Sequence, residues 1–222
     1  MVYCAICHAS TVPILYTTKK AETTYHRCLR CGFTLKDRAD ILSAKDEFQE
    51  YENHNNSIHD RGYVSFLKDF LRQAALPFAR GKACLDFGSG PEPVLAQLLQ
   101  RDYGFCVDIY DKFYAPAPVY EGKTYDLLTC TEVLEHIPDP RSVFALFRRA
   151  MHSQSVLSLM TSLRPISDSE FLEWSYIREA THIAFYTMEA MTLLAQEHDL
   201  RIIYTDHKHH ISLMTKESVT RI

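Results

Sequence analysis

A chain of 222 residues, 46% apolar and 23% charged, has room for one α/β domain of ordinary size and a small appendage. Its net charge of −4 argues against a general nucleic-acid binder, and no apolar run approaches the roughly 20 residues of a membrane span. The first residues, MVYCAICHAS, lack the basic and apolar stretches of a signal peptide, so a cytoplasmic protein with no membrane partner is expected.

Four of the seven cysteines fall early: Cys4, Cys7, Cys28 and Cys31 read C-x2-C, twenty residues, C-x2-C. Two such pairs offer four thiolates to a tetrahedral Zn²⁺, and a four-cysteine shell leaves no position for substrate, so the zinc would be structural. Two disulfides are the rival pairing, disfavoured in a reducing compartment. Residues 1–39 are therefore expected to form a zinc ribbon, with short strands at TVPILYT and TTYHRC. Six basic residues (Lys19, Lys20, Arg27, Arg30, Lys36, Arg38) face three acids (Glu22, Asp37, Asp40) in the first forty positions, a mild bias. Cys84, Cys106 and Cys130 lie singly in apolar runs and read as small buried hydrophobes.

Residues 40–81 form a helical connector. Ile41, Leu42, Phe48 and Tyr51 have helical spacing, and Tyr63, Phe66, Leu67, Phe70 and Leu71 give a second apolar stripe. Two packing helices are the simplest reading; a lid made by Tyr51, His54 and Asn55 is the sharper one.

From 82 to 222 strands and helices alternate: ACLDF, PVLAQLLQR, FCVDIYD, YDLLTCT, RSVFALFRRAM, SVLSLMTS and MEAMTLLAQEHD, with LRIIYTDH and HISLMTK closing the chain. This pattern predicts a doubly wound, mostly parallel α/β sheet ending in an antiparallel hairpin. Ligands of such sheets sit at the C-terminal strand ends, where Asp86, Phe87, Gly88, Ser89 and Gly90 fall. Asp111 ends the next strand about twenty residues on, where an acid commonly grips ribose hydroxyls. Pro93 occupies the third glycine position of a dinucleotide fingerprint, which argues against NAD, and no Gly-Lys-Ser/Thr follows to make a phosphate loop.

The stretch LDFGSGPE, with Asp111 and the segment YDLLTCTEVLEHIPDP, resembles the class I S-adenosylmethionine-dependent methyltransferases over residues 83–215. The resemblance implies a seven-stranded-type sheet and S-adenosyl-L-methionine as cofactor. It places Asp86, Phe87 and the Gly88–Ser89–Gly90 backbone against the amino-acid half of the cofactor, Asp111 on its ribose and Thr131 on its methionine side. Two departures stand out. Glu92 replaces the third glycine, where it would crowd the cofactor, bind its ammonium group or simply begin a helix. Between Asp111 and Tyr125 there is little room for the usual helix and third strand.

Glu132, Glu135 and His136 lie at i, i+3 and i+4, and share a face if that segment is helical. Together with His182 they resemble the ubiquinone-biosynthesis O-methyltransferases and, more loosely, the small-RNA 2′-O-methyltransferases. The resemblance implies either a divalent cation such as Mg²⁺ on Glu132, Glu135, His136 and His182, or His136 and His182 as catalytic bases. The aromatic-rich insertion 163–185 either walls an acceptor pocket or packs onto the sheet. The expected reaction is methyl transfer to a small-molecule or glycan-like hydroxyl; an RNA acceptor and a catalytically weak binding module are the alternatives.

Overall fold

The computed structural model describes residues 2–18, 22–52 and 56–216. In chain order it contains β1 (Thr11–Thr17), β2 (Glu22–Cys28), β3 (Thr34–Lys36), α1 (Ala44–Tyr51), α2 (Arg61–Phe70) and β4 (Ala83–Phe87). There follow α3 (Val94–Tyr103), β5 (Cys106–Tyr110), β6 (Tyr125–Thr131), α4 (Pro140–Arg149), β7 (Met151–Met160) and α5 (Asp168–Glu173). The chain ends with β8 (Ala184–Phe185), α6 (Met188–Glu197), β9 (Leu200–Thr205) and β10 (His210–Thr215). Among the described residues no helix is long and apolar enough to cross a membrane. The chain divides into two compact units, one of residues 1–54, 134–142 and 162–194, the other of 55–133, 143–161 and 195–222.

The second unit holds a six-stranded sheet in the order β5-β4-β6-β7-β10-β9. The first four strands run parallel, and β10 is antiparallel to both its neighbours, as the terminal hairpin requires. Alternate side chains point to opposite faces. Cys84, Leu127 and Val156 pack with Leu67, Phe70 and Leu71 from α2 and its extension and Leu95 and Leu98 of α3. On the other face Phe87 meets Phe147 of α4 edge-on, ring centres 5.1 Å apart. Helices thus cover both sides, as a doubly wound sheet demands.

The seven-stranded expectation needs correction: the described sheet has six strands. Residues 112–124 run through turns pinned by the Asp111–Ala115 bridge, and are too short to supply a further helix and strand. Asp60 starts α2 by accepting the Gly62 and Tyr63 N–H groups. Leu67, Phe70 and Leu71 are buried as the apolar stripe predicts, whereas Phe66 is exposed. The helix then widens into a π-helical turn at Leu71–Ala75. The Ala74 carbonyl there accepts hydrogen bonds from the buried Ser158 and Ser212 hydroxyls at 2.8 and 2.5 Å, so neither serine is left unpaired beneath the helix.

The first unit is built on a four-stranded antiparallel sheet, β1-β2-β3-β8. Its last strand comes from far along the chain, Thr34 pairing with Phe185 and Leu35 with Ala184. The core beneath it joins Ile14 and Tyr25 to Phe171, Ile177 and Phe185. Tyr25 meets Phe171 and Phe185 edge-on at 5.3 and 5.7 Å. The cysteine-bearing strands therefore share a core with the aromatic insertion. Phe171, Phe185 and Tyr186 are fully buried, so the packing reading holds for these three and they cannot line an acceptor pocket.

Candidate active site and metal centre

Strand β4 delivers Asp86 and then the glycine loop. Asp86 is buried and accepts a 2.9 Å hydrogen bond from Thr129 Oγ1 on β6. Burial pushes its carboxyl up to about 6, the Thr129 hydrogen bond opposing. Gly88 and Gly90 have φ of +83° and +68°, a region that favours glycine. The Tyr110 carbonyl holds the loop by accepting from the Gly88 and Ser89 N–H groups at 2.7 and 3.1 Å. A Cβ on Gly88 would lie 2.1 Å from Val133 Cγ2, whereas one on Gly90 would meet nothing within 4 Å. The first glycine serves packing, and the second leaves clear space. Beside that space the Ser89 hydroxyl is buried without a hydrogen-bond partner among the described residues. An orphaned hydroxyl next to bare backbone fits a polar cofactor.

Asp111 stands where the ribose acid is expected. Its Oδ2 accepts from the Gly90 N–H at 3.0 Å, and its Oδ1 accepts from Phe113 and Tyr114 at 2.8 and 3.1 Å. The carboxylate is thereby fixed in direction, with lone-pair capacity remaining on Oδ2. Glu92 turns away from the crowding role: its Oε1 accepts the Ile58 N–H at 3.1 Å. Thr131 ends β6. Glu132 follows at φ +53°, with its N–H donating to the Met160 carbonyl. Tyr63 is a neighbour that sequence patterning assigns only to packing. Burial, with the charges of Asp86 and Glu132, raises its phenol to about 12.

Five residues along the chain from Thr131, and in the other unit, lies His136. The segment is a 3₁₀ turn, Leu134–His136, rather than an α-helix, so the expected shared face does not form. Glu135, His136 and His182 come together with one ligand atom each within 4.8 Å of the others; Glu132 is not in this group. Glu135 is fully buried and accepts a 2.5 Å hydrogen bond from the Tyr176 hydroxyl. His136 Nδ1 lies 2.9 Å from the Thr181 carbonyl, and His182 Nδ1 lies 2.8 Å from the Tyr176 carbonyl. A carbonyl only accepts, so each Nδ1 carries a proton, and in the neutral ring the lone pair then lies on Nε2. The two rings are 4.9 Å apart, and Tyr51 packs edge-on to His136 at 5.4 Å. Burial lowers the basicity of His182, with Glu135 opposing. His54 and Asn55 of the expected lid lie outside the described residues.

The cysteine cluster has metal-site geometry. Cys4 and Cys31 sulfurs are 3.7 Å apart, Cys7 and Cys28 3.4 Å, and Cys7 and Cys31 3.7 Å. Thiolates about 2.3 Å from a tetrahedral zinc stand about 3.8 Å apart, so the four residues fit such an ion. None of the cysteines is in a disulfide. Backbone N–H groups of Ile6, Arg30 and Cys31 point at the Cys4 and Cys28 sulfurs at 3.3–3.4 Å. The hydrogen bond with Cys31 pulls the Cys4 thiol down to about 5 and holds Cys31 up. Gly32, at φ +70°, turns the second knuckle where a Cβ would strike Thr187 at 2.8 Å. Of the basic residues there, Arg27 pairs with Asp168, and the buried Lys36 donates its ammonium to the Ala180 carbonyl; Lys19 and Lys20 lie outside the described residues.

A family model described as a methyltransferase domain matches residues 58–205. The chain belongs to this methyltransferase family, and its fold is that of the class I S-adenosylmethionine-dependent enzymes. Over 60 residues it is 43% identical to the ubiquinone biosynthesis O-methyltransferase of Pectobacterium atrosepticum, covering 27% of this chain and 24% of that protein. The corresponding Hahella chejuensis protein is 37% identical over 65 residues, 29% of this chain and 27% of the relative. The chain thus aligns with about a quarter of the length of these relatives. Among solved structures, a mitomycin 7-O-methyltransferase superposes with a TM-score of 0.54 at 14% identity, covering 76% of this chain and 60% of that one. The Burkholderia thailandensis 1,6-didemethyltoxoflavin-N1-methyltransferase also gives 0.54, at 13% identity, with 92% and 99% covered.

Proposed function

We propose that the chain transfers a methyl group from S-adenosylmethionine to an oxygen of a small organic acceptor, with His136 as the general base. The bound cofactor supplies an electrophilic methyl group on a cationic sulfur. Asp86, Ser89 and the Gly88–Gly90 backbone hold its amino-acid end, and Asp111 orients its ribose. The observation that carries the catalytic part is the tautomer of His136: its Nδ1–H is spent on the Thr181 carbonyl, which leaves Nε2 to take a hydroxyl proton. Glu135, buried and fixed by Tyr176, favours the imidazolium that results. Oxygen is the preferred acceptor atom because the two curated relatives are named O-methyltransferases, and small acceptors appear in the names of the structural neighbours.

A second reading has support in the grouping of Glu135, His136 and His182: these could ligate a divalent cation that lowers the hydroxyl pKa. Zinc on Cys4, Cys7, Cys28 and Cys31 is proposed as structural in either case. The two readings separate in one set of assays on a panel of phenolic acceptors. A base leaves activity intact under a mild chelator, gives a pH–rate profile rising through an imidazole ionisation, and makes Glu135→Gln milder than His136→Ala. A ligand set makes activity depend on added Mg²⁺ or Mn²⁺ and makes both substitutions equally severe. Full activity of the His136→Ala, His182→Ala double variant would reject both.

A further inference from the structure

The hairpin between β9 and β10 turns on Asp206-His207-Lys208-His209-His210, a run that the cofactor site and the cysteine cluster leave without a role. The turn is rigidly built. Asp206 Oδ1 accepts the N–H groups of Lys208, His209 and His210, each at 2.9 Å. The His209 carbonyl is in turn held by the Thr161 N–H at 3.0 Å, and His207 takes φ +58° to close the loop. With Oδ1 so engaged, Asp206 presents Oδ2 to two imidazoles: it lies 3.2 Å from His210 Nδ1 and 3.6 Å from His209 Nε2.

His210 is the unusual member. It is 3% exposed, its ring meets Phe70 at 5.5 Å, and apart from the 3.2 Å approach of Asp206 Oδ2 to Nδ1 neither of its nitrogens has a hydrogen-bond partner among the described residues. A buried imidazole with no well-formed hydrogen bond is costly, and native folds retain such a group where something else satisfies it. One ligand atom from each of Asp206, His209 and His210 falls within 4.8 Å of the others. Ligands about 2.1 Å from a common ion stand roughly 3–4 Å apart, so small side-chain rotations suffice. A cleft of about 340 Å³ opens beside them, with Asp69 and Gln73 on its wall and room for the water that would complete a coordination shell.

We propose that Asp206, His209 and His210 form a second metal site, distinct from the four cysteines, that takes a zinc-like divalent transition-metal ion. Two imidazoles and one carboxylate suit Zn²⁺, Co²⁺ or Ni²⁺ rather than the all-oxygen preference of Mg²⁺ or Ca²⁺. The three backbone donors to Oδ1 fix the carboxylate before any ion arrives, and Asp69 adds negative charge nearby. His210 pairs with Met160 at the end of β7, so the ion would sit at the same edge of the six-stranded sheet as the glycine loop on β4. It would clamp the hairpin there while keeping open coordination positions.

The test is calorimetric titration of full-length protein, its cysteine site already saturated, with Zn²⁺ in a non-chelating buffer. One further ion per chain is expected, with micromolar or tighter affinity. His209→Ala and Asp206→Asn should each weaken it at least tenfold; the asparagine retains the oxygen that accepts the turn N–H groups, so the hairpin should survive. Melting without added metal checks that both variants fold. Titration with Co²⁺ separates the sites, because sulfur ligation at the cysteines gives intense charge-transfer bands and a nitrogen–oxygen site gives only weak visible ones. The proposal is overturned if wild type takes no ion beyond the cysteine site, takes one only at millimolar concentration, or loses no affinity in either variant.

Discussion

Gly88 and Gly90 share a left-handed backbone but differ in what a side chain would meet, and that difference predicts two separable phenotypes. Alanine in a left-handed conformation costs about 1–2 kcal/mol at either position. At Gly88 the new methyl would also be driven to 2.1 Å from Val133 Cγ2, and overpacking adds about 1–3 kcal/mol. Gly88→Ala should therefore destabilise by about 2–5 kcal/mol, and Gly90→Ala by only about 1–2. The cofactor effect should be reversed in emphasis: the Gly90 methyl enters the clear space that the cofactor is proposed to occupy, so S-adenosylhomocysteine binding should fall at least tenfold in a variant that is nearly normally stable. Urea unfolding followed by circular dichroism gives the first quantity and calorimetry the second. In a double-mutant cycle, Val133→Ala should recover the overpacking part of the Gly88→Ala loss and none of the Gly90→Ala loss. Equal unfolding losses at the two glycines, or a cycle with no coupling between positions 88 and 133, would refute the reasoning.

Asp86 predicts a pH dependence of stability. Its carboxyl is raised from the ordinary value to about 6 in the folded chain, so the native state binds the proton more tightly than the unfolded one. Its stabilising contribution is complete below about pH 4 and is lost as pH rises through 6, for a total of roughly 3 kcal/mol. Asp86→Asn should flatten that part of the stability–pH curve; an unchanged curve would count against the burial argument. Cys28→Ser should release the metal and, because β3 pairs with β8 and Tyr25 packs on Phe171, loosen residues 168–186 as well as the first forty. Hydrogen exchange should show both segments losing protection while β4, β6 and β7 keep theirs. Loss confined to residues 1–40 would mean that the shared core contributes little.

Much of this architecture is legible in the chain itself. The alternation of strands and helices, the Gly-Ser-Gly turn and the two cysteine knuckles each depend on short-range spacing, which sequence records directly. What sequence did not convey depends on contacts between distant segments. No local pattern marks Ala184–Phe185 as the fourth strand of a sheet begun at Thr11, because two residues carry no periodicity. The readings of Glu132 and Glu135 assumed a helix, and a positive φ at Glu132 followed by a 3₁₀ turn removes the shared face. Glu92 looks anomalous in a glycine motif until its acceptor role toward Ile58, thirty-four residues earlier, is seen. Asp206 and His207 read as the end of one closing strand and His210 as the start of the next, and only folding shows His210 buried against Asp206.

The central claim is that the loop from Asp86 to Gly90, with Asp111, holds S-adenosylmethionine. Calorimetric titration of the purified chain with S-adenosylhomocysteine tests it most directly. One site per chain is predicted, with binding reduced at least tenfold by Asp111→Ala and no comparable heat from NAD⁺. Absence of S-adenosylhomocysteine binding to folded protein, or tighter binding of NAD⁺, would contradict the claim.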